Sequence, residues 1–360
     1  MNIKNLIREE VLNQEAYSAP EISCPIKLDA NESPYDLSPS LKSKIFEGIK
    51  KVQMNRYPEP GSPELRAGFS KLYGVTSDML LVGNGSDELI QILLIAVKRQ
   101  ASSIMIPTPT FAIYKISALN NGHKVIEVPL DKQFDLDVDS MLEIMAVKSP
   151  NLIFLSYPNN PTGNCFDSSK IEAILKETDG IVVVDEAYFY FSGKTFLSYL
   201  DKYENLVILR TLSKVGLAAM RIGILIGSPP LVHELNKVRL PYNLNALSQI
   251  TARLYIENEA EFQKQADTVV SRRDELFTEL KKIDGIHLYP SDANFILFSC
   301  SFDTDSVYYS LIEKGILIKK FDTLGILENC MRVTTGTREE NGEFLEALRT
   351  IIFGEELKAK

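Results

Sequence analysis

Six short aliphatic and β-branched runs, at 79–83, 103–107, 151–158, 180–188, 205–211 and 222–228, are spaced through the middle of the chain with longer helical patterns between them. Each run is apolar on both faces. A sheet with one face in water would alternate apolar and polar residues, so these runs demand a sheet covered on both sides, and the intervening helices make it largely parallel. One helix is expected to begin at Gly61-Ser62-Pro63, with Ser62 as its cap and Pro63 in its first position, and another to follow Gly85 directly as SDELIQILLIAVK.

From about residue 259 the pattern changes to a long amphipathic helix, then HLYPSDANFILFSC, a further helix, GILIKKF, MRVTT, and a last helix opened by Thr337-Arg338-Glu339-Glu340 in the manner of a capping box. This reads as a smaller α+β unit. The expected organisation is a large α/β domain over 40–255 and a small domain built from 256–360 together with the irregular, proline-containing segment 1–39. With 360 residues, of which 45% are hydrophobic, the chain can bury two cores.

The net charge of -9 is spread over interleaved acids and bases, which argues against nucleic acid as a partner. Four widely spaced cysteines, Cys24, Cys165, Cys300 and Cys330, form no CxxC pair, and the three histidines show no ligand spacing. No metal site is expected. The charged amino-terminal stretch lacks the apolar centre of a signal peptide, and no apolar run is long enough to span a bilayer, so the expected location is the cytoplasm.

Open α/β sheets bind ligands beyond the carboxyl ends of their strands. Asn160 follows one apolar run, Asp185 ends another, Lys214 lies just past a third, and Gly83-Asn84-Gly85-Ser86-Asp87 joins a fourth to a helix. Four loops therefore converge on one edge. A lysine beside an apolar sheet can lose its proton and form an imine with an aldehyde. Pyridoxal phosphate is such an aldehyde, and its ring nitrogen, phenolic oxygen and phosphate make three further demands. Asp185 is the candidate for the ring nitrogen, Asn160 and Tyr188 for the phenolic oxygen, and the Gly85-Ser86-Asp87 turn with Ser213 and Arg221 for the phosphate. Taken singly each is an ordinary surface or turn residue; the ordered set is not.

That set resembles the histidinol-phosphate aminotransferase family within the fold-type I pyridoxal-phosphate enzymes. The matching segments are Leu28-Asp29-Ala30-Asn31-Glu32-Ser33-Pro34, Arg56-Tyr57-Pro58, Gly83 to Glu88, Asn159-Asn160-Pro161-Thr162-Gly163, Asp185-Glu186-Ala187-Tyr188, Thr211-Leu212-Ser213-Lys214 through Arg221, and Met331 to Arg338. The resemblance implies catalysis by Lys214, Asp185 and Tyr188, with Lys214 carrying the cofactor. It implies cofactor contacts from Gly85, Ser86, Asp87, Asn160, Thr211, Ser213 and Arg221, and a stacking contact from Phe111. It also implies a homodimer in which Tyr57 reaches the partner's cofactor phosphate. For substrate it implies Arg332 as the anion-binding arginine, a second cation at Lys319 or Lys320, and closure by Tyr17 and Asn31, with Arg338 structural. Two departures matter. The loop VGLAAM between Lys214 and Arg221 is shorter than many members carry, and Phe111 cannot donate a hydrogen bond as a tyrosine could.

The rival readings fare worse. GNGSDE has Glu88 where a dinucleotide fingerprint needs its third glycine, and Gly193-Lys194-Thr195 has Tyr188 where a P-loop needs its first. A non-enzymatic binding module leaves Asn160, Asp185 and Lys214 unexplained. Within the cofactor class, a threonine-phosphate decarboxylase or an aromatic aminotransferase remains open beside the expected reaction, histidinol phosphate with 2-oxoglutarate giving imidazole acetol phosphate and glutamate.

Overall fold

The computed structural model describes residues 3–14, 22–97, 102–321 and 325–359. Twelve strands lie among them: β1 Ile26–Leu28, β2 Leu80–Asn84, β3 Ser103–Thr108, β4 Lys124–Pro129, β5 Leu152–Ser156, β6 Ile181–Asp185, β7 Leu206–Thr211, β8 Ile222–Gly227, β9 Ile286–Leu288, β10 Phe295–Cys300, β11 Ile316–Lys320 and β12 Cys330–Thr334. A seven-stranded sheet has the order β2-β8-β7-β6-β5-β3-β4, and a five-stranded sheet the order β1-β11-β12-β10-β9.

The expected covered sheet is present. β3 to β7 pair in parallel, and β8 runs antiparallel to both of its neighbours. Val182, Val183 and Val184 at its centre have no exposed surface, and burying each such side chain contributes roughly 1.5–3 kcal/mol. The pairing brings the carboxyl ends of β2, β5, β6 and β7 and the start of β8 to one edge. Asn84, Ser156, Asp185, Thr211 and Ile222 all arrive there.

β4 is the strand that its sequence does not announce. Its residues are mostly exposed or half-buried, as suits the edge of a sheet. Its Glu127 is ion-paired at 2.6 Å with Lys115 on the helix Ala112–Asn120. Ser62 also departs from expectation. Pro63 does begin the helix Pro63–Tyr73, but Ser62 has left-handed backbone angles (φ 45°, ψ 56°) and its hydroxyl caps nothing. The capping box at the last helix is formed in full: the Thr337 amide donates to Glu340 Oε2 at 2.7 Å, and the Glu340 amide donates to Thr337 Oγ1 at 3.2 Å.

In the smaller sheet β1, from the amino-terminal segment, pairs in parallel with β11. The chain continues from β1 through Asn31, whose backbone amide donates to Thr334 Oγ1 at 3.0 Å. This carries the segment from the small sheet to the edge where the large sheet's strands end. The long helix Glu259–Leu280 packs against β9 and β10 of the small sheet and against the helix Phe189–Ser192 and the turn Ser213–Leu217, which belong to loops following β6 and β7.

Candidate active site

Lys214 sits in the irregular turn Ser213–Leu217, where Gly216 takes a φ of +94° and breaks the helical path. Its Nζ lies 3.4 Å from the carbonyl oxygen of Ala30 and 5.9 Å from the centre of the Tyr188 ring. Burial pulls the amine down to about 8, the Arg332 and Arg221 guanidinia push the same way, and Glu32 and Asp87 oppose them. A fraction of the amine is therefore unprotonated at physiological pH, the form in which an amine acts as nucleophile or base.

Asp185 ends β6 with 3% of its surface exposed. Oδ1 accepts from the Ala187 amide at 3.1 Å, and Oδ2 accepts from the Tyr114 hydroxyl at 2.6 Å. Burial pushes the carboxyl up to about 6 and these two donors hold it down, while Asp87 and Glu186 repel its charge. Tyr188 follows at the start of the next turn. Its hydroxyl oxygen accepts from Asn31 Nδ2 at 2.9 Å, which leaves the phenolic proton to be donated elsewhere.

Two glycines shape the corner where β2, β8 and the helix Ser86–Ala96 meet. Gly85 has a φ of +80°, and a Cβ there would lie 2.5 Å from Arg221 Nη2. A Cβ on Gly223 of β8 would lie 2.4 Å from the Gly85 carbonyl carbon and 2.5 Å from the Ser86 nitrogen. Side chains at either position would fill this cradle. The helix Ser86–Ala96 starts at Gly85 with no side chain capping it, so its first amides are presented to an anion. Arg221, at a φ of 52°, reaches across the corner and donates to Asp87 Oδ2 at 2.7 Å. The short VGLAAM loop thus brings Arg221 to the start of the helix Ser86–Ala96. Thr211 Oγ1 lies 2.9 Å from Ser213 Oγ and donates to the Ile222 carbonyl at 3.1 Å, fixing the Ser213 hydroxyl beside the same corner.

The small sheet contributes Arg332 and Lys319. Arg332 of β12 is 7% exposed; it donates from Nη1 to Asn160 Oδ1 and from Nη2 to the Asp29 carbonyl at 2.6 Å, and its guanidinium lies 5.1 Å from the Phe295 ring centre. Asn160 is thereby turned so that its NH2 group faces away from Arg332. Lys319 is the cross-strand partner of Arg332 and is exposed. Directly opposed residues of antiparallel strands share a face, so Lys319 stands on the Arg332 side of the sheet. Lys320 stands on the other, ion-paired to Asp305.

Among the described residues no group of three or more His, Cys, Asp or Glu side chains could hold a metal ion. The family model for aminotransferase class I and II matches residues 24–348. The chain belongs to that family. It is 41% identical over 348 residues, covering 96% of this chain and 98% of the relative, to the histidinol-phosphate aminotransferase of Aquifex aeolicus. It is likewise 41% identical over 95% of its length to histidinol-phosphate aminotransferase 2 of Nitrosococcus oceani, covering 96% of that relative. Among solved structures, the histidinol-phosphate aminotransferase of Sinorhizobium meliloti in complex with pyridoxal-5'-phosphate superposes with a TM-score of 0.88, at 19% identity, over 97% of this chain and 98% of that one. The L-threonine-O-3-phosphate decarboxylase of Porphyromonas gingivalis superposes with a TM-score of 0.78, at 22% identity, over 91% and 99%.

The donor set of this aminotransferase fits pyridoxal phosphate: a buried lysine whose pKa is lowered, a buried carboxylate, two hydrogen-bond donors and a glycine-lined cradle at a helix start meet at one edge. Phe111 stands just before the helix Ala112–Asn120 and meets the Tyr114 ring edge-on at 5.5 Å. Asn31 is 1% exposed, and its side-chain amide meets the Tyr188 hydroxyl and Thr334 Oγ1. Tyr57 is 81% exposed and stacks on Tyr242 at 4.6 Å, on the outer surface. Tyr17 lies outside the described residues. Arg338 is exposed at the start of the last helix.

Two groups at the site were not apparent from sequence. One is Tyr114, which reaches Asp185 across 71 residues of chain. The other is the buried pair Glu186 and Arg210, joined at 2.8 Å directly beneath the catalytic strand ends. The guanidinium lies over the Phe189 ring at 3.7 Å and the Tyr73 ring at 4.6 Å. Thr195 and the Phe196 amide also donate to Glu186. The only cue in the sequence was their adjacency to Asp185 and Thr211.

Proposed function

We propose that this aminotransferase exchanges the amino group between histidinol phosphate and 2-oxoglutarate, as a pyridoxal-phosphate-dependent step of histidine biosynthesis in the cytoplasm. The observation that carries the substrate is the cross-strand pair Lys319 and Arg332, two cations on one face of the small sheet, beside the lysine and carboxylate of the large sheet. The identity of about 41% with the Aquifex aeolicus enzyme over nearly the whole chain supports the same reading.

When bound, pyridoxal phosphate supplies an aldehyde for an amine to condense with and a protonated ring that accepts electrons as a bond to the α-carbon breaks. Lys214 would hold it covalently, and the same amine, once released, would take the proton from the substrate's α-carbon. Asp185 would keep the ring nitrogen protonated. Asn160, oriented by Arg332, and Tyr188, braced by Asn31, would donate to the phenolic oxygen. The amides of Ser86 and Asp87, together with Ser213 and Arg221, would take the phosphate, and Phe111 would stack on the ring. Arg332 would bind glutamate through its carboxylate and histidinol phosphate through its phosphate, since a planar guanidinium suits either oxyanion.

The reading includes a homodimer with shared sites. Tyr57, held against Tyr242 on the surface, would act in the partner's site. Chains carrying Tyr57→Phe mixed with chains carrying Lys214→Ala should then recover activity that neither parent has; a fully active monomer at high dilution would exclude the dimer.

The substrate is tested by supplying the purified enzyme with histidinol phosphate and 2-oxoglutarate and measuring glutamate. Glutamate formation without carbon dioxide release is expected. Release of carbon dioxide from threonine phosphate in its place would make the enzyme a lyase, and a preference for phenylalanine would make it an aromatic aminotransferase.

A further inference from the structure

Asp185 lies at the bottom of the site, and its partner on the sheet side comes from a different element. The helix Ala112–Asn120 brings Tyr114 over β5, where its ring stacks on Phe154 at 4.8 Å with 9° between the planes. Tyr114 has no exposed surface. From that fixed position its hydroxyl meets Asp185 Oδ2 at 2.6 Å, while the Ala187 amide holds Oδ1. One carboxylate therefore has both oxygens restrained, each from a different side, and cannot rotate about its χ2 without losing a donor. The same Tyr114 ring is touched edge-on by Phe111.

We propose that Tyr114 is a positioning residue for the ring-nitrogen contact: by donating to Oδ2 it fixes the plane of the Asp185 carboxylate and keeps it ionised despite its burial. The inference rests on reading Asp185 as the ring-nitrogen partner. A hydrogen bond donated to the charged form of a carboxyl favours that form, and burial favours the neutral one, so the two act against each other at Asp185. Other charged or titratable groups face the carboxylate too. Asp87 on the helix Ser86–Ala96 and Glu186 at the end of β6 both repel its charge, and Tyr188 adjoins it in the following turn. Among the described residues, only Tyr114 and the Ala187 amide donate to its side chain. Burial holds the Tyr114 phenol well above its ordinary range, so it remains a donor throughout the working pH range and never competes as a base.

The test uses cofactor-free protein labelled with 13C at aspartate carboxyls, with the Asp185 signal assigned by its loss in Asp185→Asn. Tyr114→Phe keeps the ring on Phe154 and removes only the hydroxyl. Its Asp185 midpoint should rise by about one pH unit relative to wild type. Site-specific 3-fluorotyrosine at position 114, a stronger donor of nearly the same shape, should move the midpoint down. In the loaded enzyme Tyr114→Phe should lower kcat about tenfold with the amine KM changed less than about twofold. An unchanged midpoint in both variants overturns the proposal, as does a shift of the same sign in both. If Tyr114→Phe does not fold, the fluorinated protein decides alone: a downward shift supports the role and no shift refutes it. The titration contains no substrate, so failure of histidinol phosphate as a substrate would leave this result standing. Full activity of Asp185→Asn would remove the ring-nitrogen reading while the titration still reported on the Tyr114 contact.

Discussion

Arg332 on β12 of the small sheet donates to the side-chain oxygen of Asn160, in the loop that follows β5 of the large sheet. One guanidinium thereby links the small sheet to the loop after β5. In the proposed reaction it would present a fork to the substrate's anion, and it would set which end of the Asn160 amide is the donor toward the cofactor.

Removing Arg332 should accordingly cost more than a lost anion contact. A charge-assisted hydrogen bond contributes on the order of 2 kcal/mol, roughly thirtyfold in binding. Arg332→Ala should raise the KM of both glutamate and histidinol phosphate by about that factor and lower kcat as well, because Asn160 is released. Arg332→Lys keeps the charge without the fork and should recover little of either. Half-reaction kinetics with each amine would check this; a variant in which only KM changes would show that Asn160 is oriented by something else.

Lys214 makes a prediction about stability in the cofactor-free protein. Its amine titrates near 8 in the folded state, below its ordinary value of 10.5. Between those values the unfolded chain binds the proton that the folded chain does not, so stability rises with pH across that window and is lost as pH falls through about 8. Lys214→Met carries no such proton. The wild-type melting temperature should therefore gain on that of Lys214→Met between about pH 8 and pH 10. A difference that stays constant across the window would mean that the amine is solvated.

Much of this was readable from the sequence, for a physical reason. Strands buried on both faces must be apolar throughout, so β5 to β8 appear as runs, and a parallel sheet then delivers whatever follows those runs, Asn160, Asp185 and Lys214 among them, to one edge. β4 was not readable, because an edge strand such as this one can expose Lys124 and Glu127. Tyr114 and the Glu186–Arg210 pair were not readable because their meaning lies in contacts that span tens of residues, and side-chain type alone does not carry that distance.

The Glu186–Arg210 pair should behave as a support for the strand ends. Both side chains have at most 1% of their surface exposed. Taking away one partner leaves an uncompensated buried charge and costs about 3–5 kcal/mol, whereas replacing both with apolar residues of similar volume avoids most of that cost. Denaturant unfolding of Glu186→Ala and of the double variant Glu186→Met with Arg210→Met should show the single substitution as the more damaging. Equal losses would indicate that the packing against Phe189 and Tyr73, and not the charge balance, is what the pair contributes.

The last expectation concerns the second cation of the substrate site, which the strand register decides. Lys319 is paired directly with Arg332, and Lys320 with Met331. Cross-strand partners face the same way, so Lys319 shares the face of Arg332, and Lys320 faces the helix Thr304–Glu313, where it meets Asp305. A lysine beside a guanidinium adds charge where a dianionic phosphate needs it more than a carboxylate does, although it adds no fork. Lys319→Ala should raise the KM for histidinol phosphate about tenfold and that for glutamate by less than about threefold. Lys320→Ala should leave both unchanged. Unphosphorylated histidinol should be a poor donor for the wild-type enzyme and no worse for Lys319→Ala, since the group that Lys319 would meet is missing already. Should histidinol and its phosphate react equally well with the wild-type enzyme, the phosphate would have no cationic site on this face, and the substrate assignment would fall while the cofactor site built on Lys214 and Asp185 stayed as it is.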